Sequence, residues 1–142
     1  MPEVYFHRQV VGITALVIGF VAAALLSVVM GLQGAWVPAI ILIAIVSAIA
    51  LFFSSLTIAV GPSDVSWYFG PGLWRYRIAR STIGSIAVVR NSPLNGFGIR
   101  MRPHWRLYNV YGLDAVEMRL QSGDVIRLGT DDPEGLEAAL KS

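Results

Sequence analysis

The run VVGITALVIGFVAAALLSVVMGL, residues 10–32, contains no ionisable side chain. At ~1.5 Å per residue it predicts a helix of roughly 33 Å, enough to cross a ~30 Å hydrocarbon core. A second apolar run, Ala35–Leu56, follows almost at once, with Trp36 where an interfacial aromatic belongs and Pro38 in the first turn, where its missing N–H is harmless. Only Gly31, Leu32, Gln33 and Gly34 separate the two, so the spacing predicts an antiparallel transmembrane hairpin.

Working outward from the hairpin, no Asp, Glu, Lys or Arg occurs between Arg8 and Asp64. That gap accounts for a chain of 142 residues that is 55% hydrophobic, with mean hydropathy +0.62. Residues 1–9 are read as a cytoplasmic N-terminal segment, 10–56 as the hairpin, and 57–142 as one cytoplasmic domain with room for a single core. Arg8 flanks the first span, further arginines follow the second, and the connecting loop has no basic residue, so both termini are expected on the cytoplasmic side. A cleaved signal peptide fits poorly, because the first run is longer than an ordinary signal core and a second span follows it.

Ala15, Gly19, Ala23, Ser27 and Gly31 recur every four residues. Such a stripe allows close backbone approach, and it is expected to seat the second helix against a small patch of Ala44, Ser47 and Ala48. It also leaves a homo-oligomer open. Neither span holds an ionisable residue, so neither suggests an ion or proton path.

From Leu56 onward the pattern changes to short alternating runs punctuated by Gly and Pro, which predicts antiparallel β structure. Strands are expected over Leu56–Val60, Val65–Phe69, Leu73–Ala79, Ser85–Arg90, Ile99–Arg102 with Leu107–Val110, Ala115–Leu120 and Val125–Leu128. Alternation puts Trp74, Tyr76 and Ile78 inward and Arg75 and Arg77 outward, and likewise opposes Ile99 and Met101 to Arg100 and Arg102. A three-residue loop, Gln121-Ser122-Gly123, places Met118 opposite Ile126 and Val116 opposite Leu128, with Glu117 pairing Arg127 on the outside. A last helix is expected after Asp131 or Asp132 as N-cap, with Pro133 and Glu134 in its first turn and Leu136, Ala139 and Leu140 facing the sheet.

About seven bent antiparallel strands and a C-terminal helix form a mainly-β domain with the element order of a pleckstrin-homology-like barrel. The stretches Pro93-Leu94-Asn95-Gly96-Phe97-Gly98-Ile99-Arg100, Leu107-Tyr108-Asn109-Val110, Ala115-Val116-Glu117, Gly123 through Thr130 and Asp132-Pro133-Glu134 resemble small bacterial membrane proteins that carry a bacterial PH-like domain. The resemblance covers roughly Leu56 to Leu140 and rests on turn and strand positions, so it speaks to fold. It implies a membrane-tethered interaction module of the bacterial inner membrane.

Chemistry is thinly supplied. There is no cysteine, which excludes disulfides, thiolate metal sites and a Cys nucleophile. His104, between Pro103 and Trp105, reads as a surface-loop residue and not as part of a triad. Asp64, Asp114, Glu117 and Asp124 fit turn and pairing roles, and Asp131, Asp132 and Glu134 are where a helix dipole favours acids, so no metal is expected. Asn95-Gly96-Phe97-Gly98 lacks the lysine and the following helix of a phosphate loop. The sequence therefore calls for no enzyme activity and no cofactor.

What remains is basic: Val65–Leu113 contains no Asp or Glu, and the candidate lipid- or partner-binding residues are Arg75, Arg77, Arg90, Arg100, Arg102 and Arg106. Held near an anionic leaflet, each could contribute ~1 kcal/mol. The same residues would serve as a solvated face reinforcing topology. Nucleic acid is not an expected partner, because alternation is expected to bury Trp74 and Tyr76. The expected function is a non-enzymatic scaffold that binds a protein partner at the membrane, with anionic lipid headgroups as the alternative ligand.

Overall fold

A computed structural model describes residues 4–95 and 98–142. The elements run β1 (Tyr5–Val10), α1 (Ile13–Leu32), α2 (Trp36–Phe52), β2 (Ser55–Val60), β3 (Asp64–Phe69), β4 (Arg75–Ala79), β5 (Ile83–Arg90), β6 (Gly98–Arg102), β7 (Trp105–Asn109), β8 (Asp114–Leu120), β9 (Val125–Gly129) and α3 (Pro133–Lys141). Two sheets form, of order β1-β2-β3-β4 and β5-β8-β9-β7-β6.

The N-terminal segment is part of the domain. Tyr5–Val10 pairs along its whole length with β2, from Tyr5 opposite Val60 to Val10 opposite Ser55. The helical hairpin is therefore an insertion into the connection between the first two strands. Both of its ends pass into sheet with hardly any linker, since α1 begins three residues after Val10 and β2 begins three residues after Phe52.

α1 is 20 residues long and is the helix with the length and apolarity to cross a membrane, while α2 is equally apolar but shorter, at 17 residues. The two pack closely near their connecting loop. Ala23 and Ala39 are buried, Ser27 Oγ donates to the Ala39 carbonyl at 3.3 Å, and Gly31 lies under the Trp36 ring. The loop-side members of the stripe, Ala23, Ser27 and Gly31, thus seat α2 while Ala15 and Gly19 stay exposed, and the patch on α2 is only in part the expected one. Of the expected patch Ser47 is half-buried while Ala44 and Ala48 are exposed, and the other covered positions of α2 are Ala39, Leu42, Ile43, Val46 and Ala50.

The core lies between the sheets. Trp67, Phe69 and Tyr108 are each about 1% exposed, and Tyr108 meets Trp67 edge-on at 5.2 Å. Burying an aromatic of this size stabilises the fold by ~1.5–3 kcal/mol. α3 closes one side with Leu136, Ala139 and Leu140, as its stripe predicts. Asp132 is its N-cap and accepts from the Gly135 N–H at 3.2 Å. Arg80 finishes its other end, donating through Nη2 to the carbonyls of Ala139 at 3.1 Å and Leu140 at 3.0 Å, and through Nη1 to Gly61.

The late hairpin has the expected register, Met118 opposite Ile126 and Val116 opposite Leu128, with Gly123 in the left-handed region at φ 93°. Three expectations are corrected. β7 and β9 run parallel, so the strands are not all antiparallel. The β6–β7 hairpin fills the free edge of β9, and the two distal turns are tied together by Val125 N–H to the His104 carbonyl at 2.9 Å. Glu117 does pair with Arg127, as expected, but not on the outside: its side chain is 6% exposed and accepts from Arg127 Nε at 2.6 Å and from Arg119 Nε at 3.0 Å. Trp74 and Met101 are exposed, not inward, because they lie where the other sheet does not reach: Trp74 precedes the first paired residue of β4, and Met101 sits on the edge strand β6.

Candidate membrane-facing site

Register determines which end of the β-domain meets the hairpin. Ser55 opens β2 beside the end of α2, and Gly70 N–H donates to its carbonyl at 2.9 Å. Gly70, at φ 47°, comes so close to the Leu51 and Phe52 carbonyls that a Cβ there would clash with both. The β3–β4 turn therefore lies against the last turn of α2. In the second sheet Gly98 abuts Phe53, and Tyr111 reaches Gly12 at the head of α1. Following the ladders from these points places the β3–β4, β5–β6 and β7–β8 connections all at the hairpin end.

Each connection presents a large apolar side chain outward: Leu73 (74% exposed) and Trp74 in the first, Leu94 (95%) in the second and Tyr111 in the third. Trp74 rests edge-on against Phe52 at 5.3 Å. Sequence alternation missed these residues. The available signal was a pair of large apolar residues, Leu73-Trp74, immediately after a Gly-Pro-Gly turn, where no core partner can reach.

The six candidate arginines do not form one face. Arg75, Arg90 and Arg100 lie at the hairpin end. Arg75 stacks over Tyr68 at 4.5 Å, and Arg90 pairs with Asp114 at 3.2 Å. Arg100 donates through Nε to the Asn95 carbonyl at 2.8 Å. Arg77, Arg102 and Arg106 lie further along the strands, each step of two residues being ~7 Å. Arg77 is paired with Asp64 at 2.9 Å, and Arg102 lies over the Trp105 ring at 5.1 Å by the distal turn. Arg106 borders Tyr108, whose phenol burial pushes above its ordinary value, with Tyr76 adding to the rise and Arg106 opposing it.

Several ionisable groups outside this set make cross-element pairs. His104 Nδ1 lies 2.8 Å from Asp124, and that hydrogen bond is the main reason the Asp124 carboxyl sits below its ordinary range. Tyr5 donates to Asp132 at 2.9 Å, and His7 meets Asp131, so β1 is fastened to the start of α3. Among the described residues no three His, Cys, Asp or Glu side chains converge as metal ligands would. Gly96 and Phe97, half of the glycine-rich turn, lie outside the described residues.

A groove of about 530 Å³ opens where the hairpin meets the second sheet. Its helical wall is Ala15, Leu16, Ile49 and Ala50, with Val11 of the β1–α1 linker beside them, and its domain wall includes Ile99, Val110 and Tyr111. Among the described residues Arg100 is the one charged residue lining it. The arrangement can bind an elongated apolar group and attract an anion to one end of it.

The fold and site define a two-sheet β-domain with an apolar helical hairpin inserted in its first strand connection. No protein-family model, no curated protein and no solved structure matches the chain significantly.

Proposed function

We propose that this chain is a non-enzymatic, membrane-anchored interaction module, a bacterial inner-membrane protein whose PH-like domain is held at the cytoplasmic leaflet and binds a protein partner there. The observation that carries the reading is the Val10–Ser55 pairing: the chain leaves and rejoins one sheet at adjacent positions, so whatever α1 crosses, α2 recrosses. At ~1.5 Å per residue α2 is roughly 25 Å long, a modest mismatch that local bilayer thinning accommodates. Ile, Val and Leu side chains exposed all around both helices need an apolar solvent. The PH-like reading draws support from connectivity. With the β6–β7 hairpin set aside, a four-stranded meander is followed by the β5-β8-β9 meander and a C-terminal helix. Edge strands β4 and β6 offer unpaired backbone to a partner segment.

A second reading, anionic headgroup recognition, is favoured by the location of Arg75, Arg90 and Arg100 at the hairpin end among exposed apolar residues.

The chain has no cysteine, so single-cysteine variants report topology directly. In intact cells Gln33→Cys is expected to react with a membrane-impermeant maleimide, and Ser142→Cys only after permeabilisation. Equal reactivity at both positions sinks the two-span reading. Crosslinking in native membranes is expected to recover a reproducible protein neighbour, and recovery of lipid alone favours the second reading.

A further inference from the structure

We propose that the groove at the base of the hairpin is a binding site for one anionic phospholipid, with an acyl chain between Leu16 and Ile49 and the phosphate on Arg100. The proposal rests on the membrane-anchored reading and adds a defined site to it.

The groove exists because the helices fit closely at one end only. Near the loop Ala23, Gly31 and Ala39 are buried. Toward the domain Ala15 and Gly19 are exposed, and among the described residues nothing outside the local backbone of α1 lies within 4 Å of where a Gly19 Cβ would be. Small side chains that have lost their partner helix leave space along α1, and two depressions adjoin there. A second depression of about 200 Å³ shares Ala15, Leu16, Ile49 and Ala50 with the groove and extends it to Gly19 and Val46, about one helical turn further from the domain.

The result is an elongated cleft, apolar along the helices and cationic where it meets the domain. Its main volume falls within the ~300–1,000 Å³ typical of small-ligand sites. The Nε bond to Asn95 holds the Arg100 guanidinium, and among the described residues its terminal nitrogens have no partner. Two N–H groups of a fixed fork suit a phosphate oxygen pair. Water is a poor occupant, because an apolar cleft cannot supply the two to four hydrogen bonds each molecule needs. An extended peptide is also disfavoured, since its backbone groups would find no partners against Leu16 and Ile49. A phospholipid arriving laterally brings both chemistries in the right order.

The test uses the full-length protein in nanodiscs containing phosphatidylglycerol and phosphatidylcholine, with a trace of either lipid carrying a photoactivatable acyl chain. Adducts are expected to concentrate on peptides containing Leu16, Ile49 and Ile99, with phosphatidylglycerol preferred. Ala15→Trp, which fills the groove, is expected to abolish them. Arg100→Gln, a surface change with little bearing on folding, is expected to lower the phosphatidylglycerol preference roughly fivefold, equivalent to ~1 kcal/mol, while the distal Arg77→Gln leaves it unchanged. Adducts spread evenly over the outward faces of α1 and α2, labelling by Ala15→Trp equal to wild type, or a co-purifying peptide crosslinked in the groove would each overturn the proposal. Failure of the anchored reading looks different, because a hairpin outside the bilayer gives no acyl-chain adducts on any face.

Discussion

Val10 faces Ser55 across the β1–β2 ladder, so the hairpin leaves and re-enters the β-domain at two adjacent points of one sheet. Two attachments a strand apart, with short connections to α1 and α2, restrict tilt and rotation in a way that one flexible tether cannot. The same end of the domain is therefore presented to the hairpin at all times.

This relationship predicts that the hairpin is dispensable for folding while β1 is not. Replacing residues 11–54 by Asn-Gly, which suits a two-residue turn between directly opposed positions, is expected to yield a soluble monomer with a cooperative thermal transition. The fragment Thr57–Ser142, which lacks β1 and leaves β2 as an unpaired edge, is expected to aggregate. Size-exclusion chromatography with circular dichroism separates the cases, and a folded, monomeric fragment would refute the role given to β1.

Glu117 is a buried carboxylate held by two guanidinium groups, and Arg127 also donates to Asn91 at 3.2 Å. Glu117→Ala leaves Arg127 without its counter-charge, and a loss of ~3 kcal/mol is expected. Exchanging both, Glu117→Leu with Arg127→Met, is expected to recover most of it, because the pair's own desolvation cost disappears. Denaturant unfolding of the hairpin-replaced domain measures both.

Arg80 joins the β4–β5 corner to the last carbonyls of α3. Arg80→Met keeps the aliphatic stem and removes the donors, and a loss of ~1.5–3 kcal/mol is expected for hydrogen bonds to a charged group. Hydrogen exchange should quicken at the C-terminal turn of α3 first. Uniform quickening across both sheets would contradict this local role.

Burial, with the hydrogen bond to Asp132 second, raises the Tyr5 phenol above its ordinary value. A group whose pKa is raised by folding contributes stability that is complete below its unfolded pKa of ~10 and is lost as pH rises beyond it. The midpoint of thermal unfolding is therefore expected to fall between pH 10 and 11. Tyr5→Phe should be less stable at neutral pH but flatter in that interval, and an unchanged slope would show that β1 is not held through this phenol.

Much of the fold is legible in local pattern. The strands from Leu56 to Leu128 appear within about two residues of the periodicity that predicts them, and the Gln121–Gly123 loop determines the Met118–Ile126 register because turn length and alternation leave one solution. β1 is not legible. Its inward residues Tyr5, His7 and Gln9 include no aliphatic side chain, and its partner lies on the far side of the hairpin. Trp74 and Met101 mislead for a related reason: alternation states which side chains share a face, and only the extent of the opposing sheet decides whether that face is covered.

The chain's own sequence thus determined the apolar hairpin, the strand and turn positions, the cap at Asp132 and the basic character of the domain, all of which depend on neighbours a few residues apart. Tertiary structure alone decided that the hairpin is an insertion, that Arg75, Arg90 and Arg100 lie at its end of the β-domain while Arg77, Arg102 and Arg106 lie further along the strands, and that a groove opens beside Arg100. Those outcomes follow from registers and helix rotation between segments distant in sequence, where no local period carries information.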